Sequence, residues 1–219
     1  MPDFQYHLNN QIQAIEEMKN RKEPVPVTVG GNLLDAAPNV FAGWLDTELL
    51  CEVLEISPGD RVLDLCTGTG AIAIKAAQMG AEWVTAVDLN PCAATNAEQN
   101  RQKLGIANMD VREGSLFGPV NGMEFDVITI NPPFVDYKPS DLTEICFWDD
   151  GNKVTKTFFR EFKAYLKPGG RALFCWGDFA DITLIERLGE ENGITMTLVG
   201  SSVTPSGMET FLAYKLEPI

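Results

Sequence analysis

Val62-Leu63-Asp64-Leu65-Cys66-Thr67-Gly68-Thr69-Gly70-Ala71 is an apolar run that meets one acidic residue and then a glycine-rich loop. A short apolar run of this kind reads as a strand buried on both faces. The glycines let the backbone pass close to a ligand before a helix opens with its first N–H groups directed at that ligand. Outward from this stretch the same pattern recurs. Strands are expected at Arg61–Leu65, Trp83–Asp88, Met109–Glu113 and residues 125–131 and 171–176. Helices fill the gaps over residues 70–79, 90–104, 155–166 and 182–192, the second with Asn90 as its N-cap and Pro91 in the first helical position. Such alternation is the signature of an α/β fold with a mainly parallel sheet covered on both faces. The last two strands, residues 194–200 and 208–215, are separated by a turn too short for a crossover helix and should pair antiparallel.

Before this core, Ile12, Ile15 and Met18 recur at helical spacing over residues 6–20, and Pro24 and Pro26 end that helix. Residues 25–29 read as extended, Gly30-Gly31 as a turn, residues 47–54 as a helix and Ser57-Pro58-Gly59-Asp60 as a second turn. The organisation expected is an N-terminal helix and lead-in arm over residues 1–48, then one domain over residues 49–219.

Composition narrows the chemistry. A chain of 219 residues that is 45% hydrophobic can bury one good core. The formal charge of −14 disfavours naked nucleic acid as a partner, because binding a phosphate backbone relies on Lys and Arg displacing counterions. The five cysteines are odd in number and never spaced as a C-x-x-C pair, so they suggest neither a disulfide framework nor a zinc site. The single histidine, His7, cannot build a His-based metal site or a Ser-His-Asp triad from polar N-terminal surroundings. No run of about 18 apolar residues offers a membrane span. The first residues lack a secretion signal, so a cytoplasmic protein is expected.

Gly68 to Ala73 satisfies the G-x-G-x-x-G/A dinucleotide fingerprint, and Asp88 stands where a ribose-binding carboxylate belongs. A nicotinamide-dependent reductase is therefore a rival reading. Asp64 speaks against it, since a carboxylate just before the loop would repel a pyrophosphate and welcome a cationic amino group or sulfonium. The run from Asp64 to Gly70, with Asp88 after a second strand, resembles the first motif and following acidic residue of class I methyltransferases that use S-adenosylmethionine. That resemblance implies a Rossmann-like seven-stranded sheet. It also implies that Asp88, with Leu89 beside it, meets the ribose, that Cys66, Thr67, Gly68 and Gly70 accommodate the methionine part, and that Asp64 holds the amino end. Cys66 replaces the usual first glycine and is expected to lie off the tightest point of the turn.

The fourth strand delivers Asn131-Pro132-Pro133-Phe134 at its carboxyl end, the edge where open α/β sheets place ligands. Two prolines stiffen this loop and fix the Asn131 side chain and the Pro132 carbonyl, both acceptors for an N–H. Phe134 would cover or stack on the acceptor. The run resembles the Asn/Asp-Pro-Pro-Tyr/Phe motif of methyltransferases that modify amide, amino or ring-exocyclic nitrogens. These include release-factor glutamine methyltransferases and small-domain enzymes acting on guanine in ribosomal RNA. By the same resemblance, Phe41 and Thr47 in the lead-in segment are pocket candidates, and Ser115 and Leu116 occupy the adenine-contacting region, where Asp is usual in place of Ser115. The long acidic and aromatic stretch over residues 135–153 is expected to be a substrate lid suited to a cationic or amine-bearing acceptor, contributing Asp136, Trp148 and Asp150, with Asp150 or a water taking the departing proton.

These readings converge on a S-adenosylmethionine-dependent N-methyltransferase whose acceptor is a small molecule or a protein side chain. A ribosomal RNA or tRNA base N-methyltransferase, a nicotinamide-dependent reductase and a non-catalytic S-adenosylmethionine-binding partner subunit stand as the alternatives.

Overall fold

The computed structural model describes residues 4–219. Its centre is a seven-stranded sheet built from β3 (Arg61–Leu65), β4 (Trp83–Asp88), β5 (Met109–Glu113), β6 (Phe125–Ile130), β7 (Leu166–Gly177), β8 (Ile194–Val203) and β9 (Thr210–Pro218), in the order β5-β4-β3-β6-β7-β9-β8. The five strands from β5 to β7 run parallel, and β9 pairs antiparallel with both β7 and β8. Val62, Leu63, Leu65, Val127, Ile128 and Ile130 are all fully enclosed. The central strands β3 and β6 thus read as continuous apolar runs because helices cover both of their faces.

Those helices are α2 (Leu45–Val53), α3 (Ala71–Gln78), α4 (Pro91–Lys103), α5 (Lys153–Glu161) and α6 (Ile182–Glu191). Asn90 caps α4 through its side chain, which accepts from the Cys92 N–H, with Pro91 next in line as the sequence predicts. The helix expected over 155–166 divides into α5 and a 3-10 turn, Phe162–Tyr165. The Lys167-Pro168-Gly169-Gly170 run, read as a stop, lies inside β7, where the register against β6 shifts between Phe125 and Val127.

Ahead of the sheet lie α1 (Phe4–Asn20), β1 (Val25–Val29) and β2 (Asn32–Ala36). Gly30 and Gly31 have φ of 59° and 77°, the two left-handed conformations that a tight hairpin turn between β1 and β2 requires. β2 is not anticipated from Asn32-Leu33-Leu34-Asp35-Ala36, a composition poor in strand formers. Pairing with β1 imposes the strand, and α4 secures it. Asn96 and Asn100, one turn apart and each 1% exposed, take the backbone of Asp35 and Ala37 in their side-chain amides. Asn100 Nδ2 also donates to the Thr69 carbonyl, so one side chain ties the hairpin to the glycine loop. The expected division at residue 48 falls inside α2.

Candidate functional site

A cavity of about 490 Å³ opens along the carboxyl ends of β3, β4 and β6. Its floor is the turn after β3. There the Thr67 N–H donates to the Val87 carbonyl, the Gly70 N–H donates to the Thr67 carbonyl, and Gly70 adopts φ 84°. A side chain at Gly70 would meet Ala97 at 3.1 Å, so helix packing as well as conformation demands glycine. Cys66 also takes the left-handed conformation, with φ 58°. The expectation that it escapes the tight part of the turn is therefore corrected: this cysteine occupies a position that costs a non-glycine residue about 1 kcal/mol.

Asp88 is fixed at the end of β4, where its Oδ2 accepts from the Gly68 N–H at 2.8 Å and its Oδ1 from the Asn90 N–H at 2.9 Å. Burial pushes its carboxyl pKa up, against the pull of these backbone donors. A carboxylate has about four lone-pair sites, so beyond the backbone N–H groups of Gly68, Asn90 and Leu89, Asp88 keeps some acceptor capacity toward the cavity it lines. Asp64 behaves otherwise. It is fully enclosed, is not among the cavity walls, and gives both oxygens to threonine hydroxyls, Thr67 at 2.6 Å and Thr129 at 2.7 Å. Burial raises its carboxyl pKa to about 6. Asp64, expected at the amino end of the cofactor, lies beneath the loop and holds Thr67, a wall residue, in place.

Asn131, Pro132, Pro133 and Phe134 all line the cavity. Asn131 Nδ2 donates to Asp46 Oδ2 at 2.8 Å and lies 3.4 Å from the Thr47 hydroxyl. Asn131 Oδ1 is buried with no hydrogen-bond partner among the described residues. With its Nδ2 donating to Asp46, the amide has its nitrogen toward α2 and its oxygen uncommitted. Phe134 is 8% exposed and packs against Trp176, Phe179 and Phe211, with ring centroids 5.7 to 5.9 Å apart. Buried Asp46, whose carboxyl is raised by desolvation, escaped the sequence reading although Thr47 beside it did not.

Phe41, Thr47, Cys66, Thr67, Gly68 and Leu89 also border the cavity, as expected. Ser115 and Leu116 lie outside its walls; Ser115 is exposed and Leu116 packs on the main core. The residues proposed from the 135–153 stretch do not reach it either. Asp136 is exposed and accepts from the Gly151 N–H, and Asp150 is paired with Lys153. Trp148 packs with Ile15 and Val135 in a separate small cluster. From this stretch the cavity takes Ile145, Cys146 and Phe147 instead. The roof is α1, which contributes His7, Asn10, Gln11, Ala14 and Glu17. No local signal marks those residues, since an amphipathic helix in a polar background does not announce what its polar face covers.

The wall residues include four carboxylates, Glu17, Asp46, Asp88 and Glu209, and no Lys or Arg. Among the described residues no helix is long and apolar enough to cross a membrane.

Comparison with known proteins places the chain in a family. A release factor glutamine methyltransferase from Shewanella oneidensis is 32% identical over 174 residues, covering 72% of this chain and 61% of that protein. This chain spans about half to three-fifths of the length of the curated relatives it matches. Among solved structures, the Thermus thermophilus 16S rRNA N2 G1207 methyltransferase in complex with AdoMet and guanosine has a TM-score of 0.68 at 21% identity, covering 90% of this chain and 50% of that one. A ribosomal protein L11 methylase from Lactobacillus delbrueckii has a TM-score of 0.62 at 22% identity and covers 80% of each chain. At such identities these two report the fold. The family model described as methyltransferase small domain matches residues 33–190, from β2 through the sheet to α6, and the chain belongs to that family.

Proposed function

We propose that the protein is a S-adenosylmethionine-dependent N-methyltransferase acting on an amide or amine nitrogen carried by a small molecule or a protein side chain. Residues 49–219 supply the catalytic domain, and α1 of the preceding lead-in arm roofs its cavity. The observation that carries the reading is that Asn131, whose Oδ1 is buried and unpartnered, lines the same cavity as Cys66 to Thr69 and Asp88. An orphaned buried acceptor is costly unless a donor arrives, and an N–H of the acceptor molecule is the donor that fits.

The residues present suit the cofactor. Asp88 offers its free lone pairs to ribose hydroxyls, and the loop backbone of Thr67 and Gly68 lies beside it. Four wall carboxylates without Lys or Arg favour a cationic ligand and oppose a pyrophosphate, which weakens the reductase reading. S-adenosylmethionine, when bound, supplies a methyl group on a positively charged sulfur. Asn131 Oδ1 and the Pro132 carbonyl accept hydrogen bonds from the nucleophilic nitrogen and leave its lone pair in the one remaining direction. Alignment of this kind supplies several kcal/mol of a barrier, up to about 7 or more in favourable cases.

Glutamine methylation by the related release factor enzymes supports a side-chain amide within this range, and a cytoplasmic setting with it. The test is incubation of cell extract with the protein and isotopically labelled cofactor, read by mass spectrometry. Label on a nitrogen of a protein or metabolite, abolished by Asn131→Ala with cofactor binding retained, supports the assignment. Cofactor binding without transfer to any component favours a binding-only subunit, and no binding sinks the reading.

A further inference from the structure

The cavity wall also holds His7, Gln11 and Glu209, part of a polar chain that the motifs do not account for. Trp148 Nε1 donates to Gln11 Oε1 at 3.1 Å, and this fixes the Gln11 amide with its nitrogen toward His7 Nε2, also at 3.1 Å. His7 Nε2 is then an acceptor, so the ring is neutral and its one proton sits on Nδ1, which donates to Glu209 Oε1. Burial lowers the His7 pKa in agreement, although Glu209 and the nearby Asp178 pull the other way. The ring also stacks on Phe179, which keeps it in place.

Glu209 is therefore a carboxylate only 3% exposed whose one imidazole partner carries no charge. No Lys or Arg pairs with it among the described residues, and its second oxygen has no hydrogen-bond partner there. Both Glu209 and His7 line the cavity, next to Phe134, Phe179 and Phe211. A buried anion of this kind calls for a cation, and aromatic faces beside it add to the attraction.

We propose that Glu209 is a specificity-determining residue that selects an acceptor bearing an ammonium or guanidinium group. Its flat or apolar body lies among Phe134, Phe179 and Phe211, and its positive group lies on Glu209. The inference deepens the N-methyltransferase reading and rests on it. An acidic acceptor or a nucleic-acid phosphate would meet four carboxylates and no Lys or Arg, and is rejected.

Three probes of one size separate the outcomes: benzylamine, benzamide and benzoate. Their binding to the full chain is measured by ligand-detected NMR and calorimetry, with and without the demethylated cofactor product. Benzylamine is expected to bind about tenfold more tightly than benzamide, with benzoate weakest. Glu209→Gln removes that preference and leaves benzamide unchanged. Because Glu209 is buried, a second variant places a charge from outside: exposed Asn10 on the α1 wall, changed to Lys, is expected to weaken benzylamine several-fold and spare benzamide. Equal binding of the three probes, or a preference for the amine that survives both substitutions, overturns the proposal. Failure to bind the demethylated cofactor product counts against the methyltransferase reading alone, because the probe comparison is also made without it.

Discussion

Asn131 and Asp46 stand 85 positions apart in the chain and 2.8 Å apart in space, amide nitrogen to carboxylate oxygen. The contact makes α2 a structural part of the Asn-Pro-Pro-Phe loop, because it decides which end of the Asn131 amide is free for an acceptor. Asp46→Asn lets that amide rotate, since an asparagine can donate as well as accept. Methyl transfer is expected to fall by about 100-fold, the usual cost of misplacing a reacting group by about 1 Å, while affinity for the cofactor changes little. Single-turnover transfer rates beside calorimetric titration of the cofactor check this; parallel loss of both shows that Asp46 supports the whole cavity.

The glycine loop offers a simpler test. Cys66 sits at φ 58°, a conformation glycine reaches without steric cost, yet glycine also adds freedom to the unfolded chain. The two effects oppose each other at about 1 kcal/mol each. Cys66→Gly is therefore expected to shift stability by less than about 1 kcal/mol in urea denaturation and to keep cofactor binding. A larger loss shows that packing of the thiol, and not backbone conformation, holds the residue there.

Asn100 carries more than a helix surface position normally does. It satisfies the Asp35 N–H, the Asp35 carbonyl and the Thr69 carbonyl from a site that water does not reach. Asn100→Ala strands the Asp35 N–H and takes a donor from the Thr69 carbonyl, while Asn96 still serves the Asp35 carbonyl, at a cost of about 1–3 kcal/mol. The melting temperature drops accordingly. Amide hydrogen exchange should quicken first in β2 and at the loop after β3, the two segments this side chain joins. Uniform loss of protection instead indicates global destabilisation without a local link.

What could be read from the chain, and what could not, divides along the range of the interaction. β3 and β4 match their predicted bounds because a central parallel strand must be apolar on both faces, and that is a local property; the edge strand β5 matches too, on Met109 and Val111 alternating with polar residues. The Asn131 to Phe134 loop was visible for the same reason, two prolines ending a strand. The grip of Asp46 on Asn131, the hold of Asn96 and Asn100 on β2, and the His7 and Glu209 pair, 202 positions apart, leave no local trace. Each joins polar residues that in isolation read as solvated. The lid expected from residues 135–153 was half legible: the stretch does border the cavity, through Ile145, Cys146 and Phe147. Its aromatic anchor, Trp148, turns to hold Gln11 of α1.

Asp64 gives a pH dependence whose sign runs opposite to that of a salt-bridged carboxylate. Burial raises its folded pKa to about 6 from an ordinary value of 3.8, more than its two threonine donors lower it. The folded protein therefore holds this proton where the unfolded chain has released it, and stability from this group is lost as pH rises from about 4 through 6. Between pH 5 and pH 8 the loss amounts to about 1 kcal/mol for a shift of this size. Asp64→Asn cannot ionise, so the stability of the wild-type protein relative to this variant should fall by that amount over the same interval. Urea denaturation of both proteins at pH 5 and pH 8 measures the difference. A gap that stays constant, or widens in favour of the wild type at pH 8, means that the hydroxyls of Thr67 and Thr129 stabilise the ionised form more than burial opposes it.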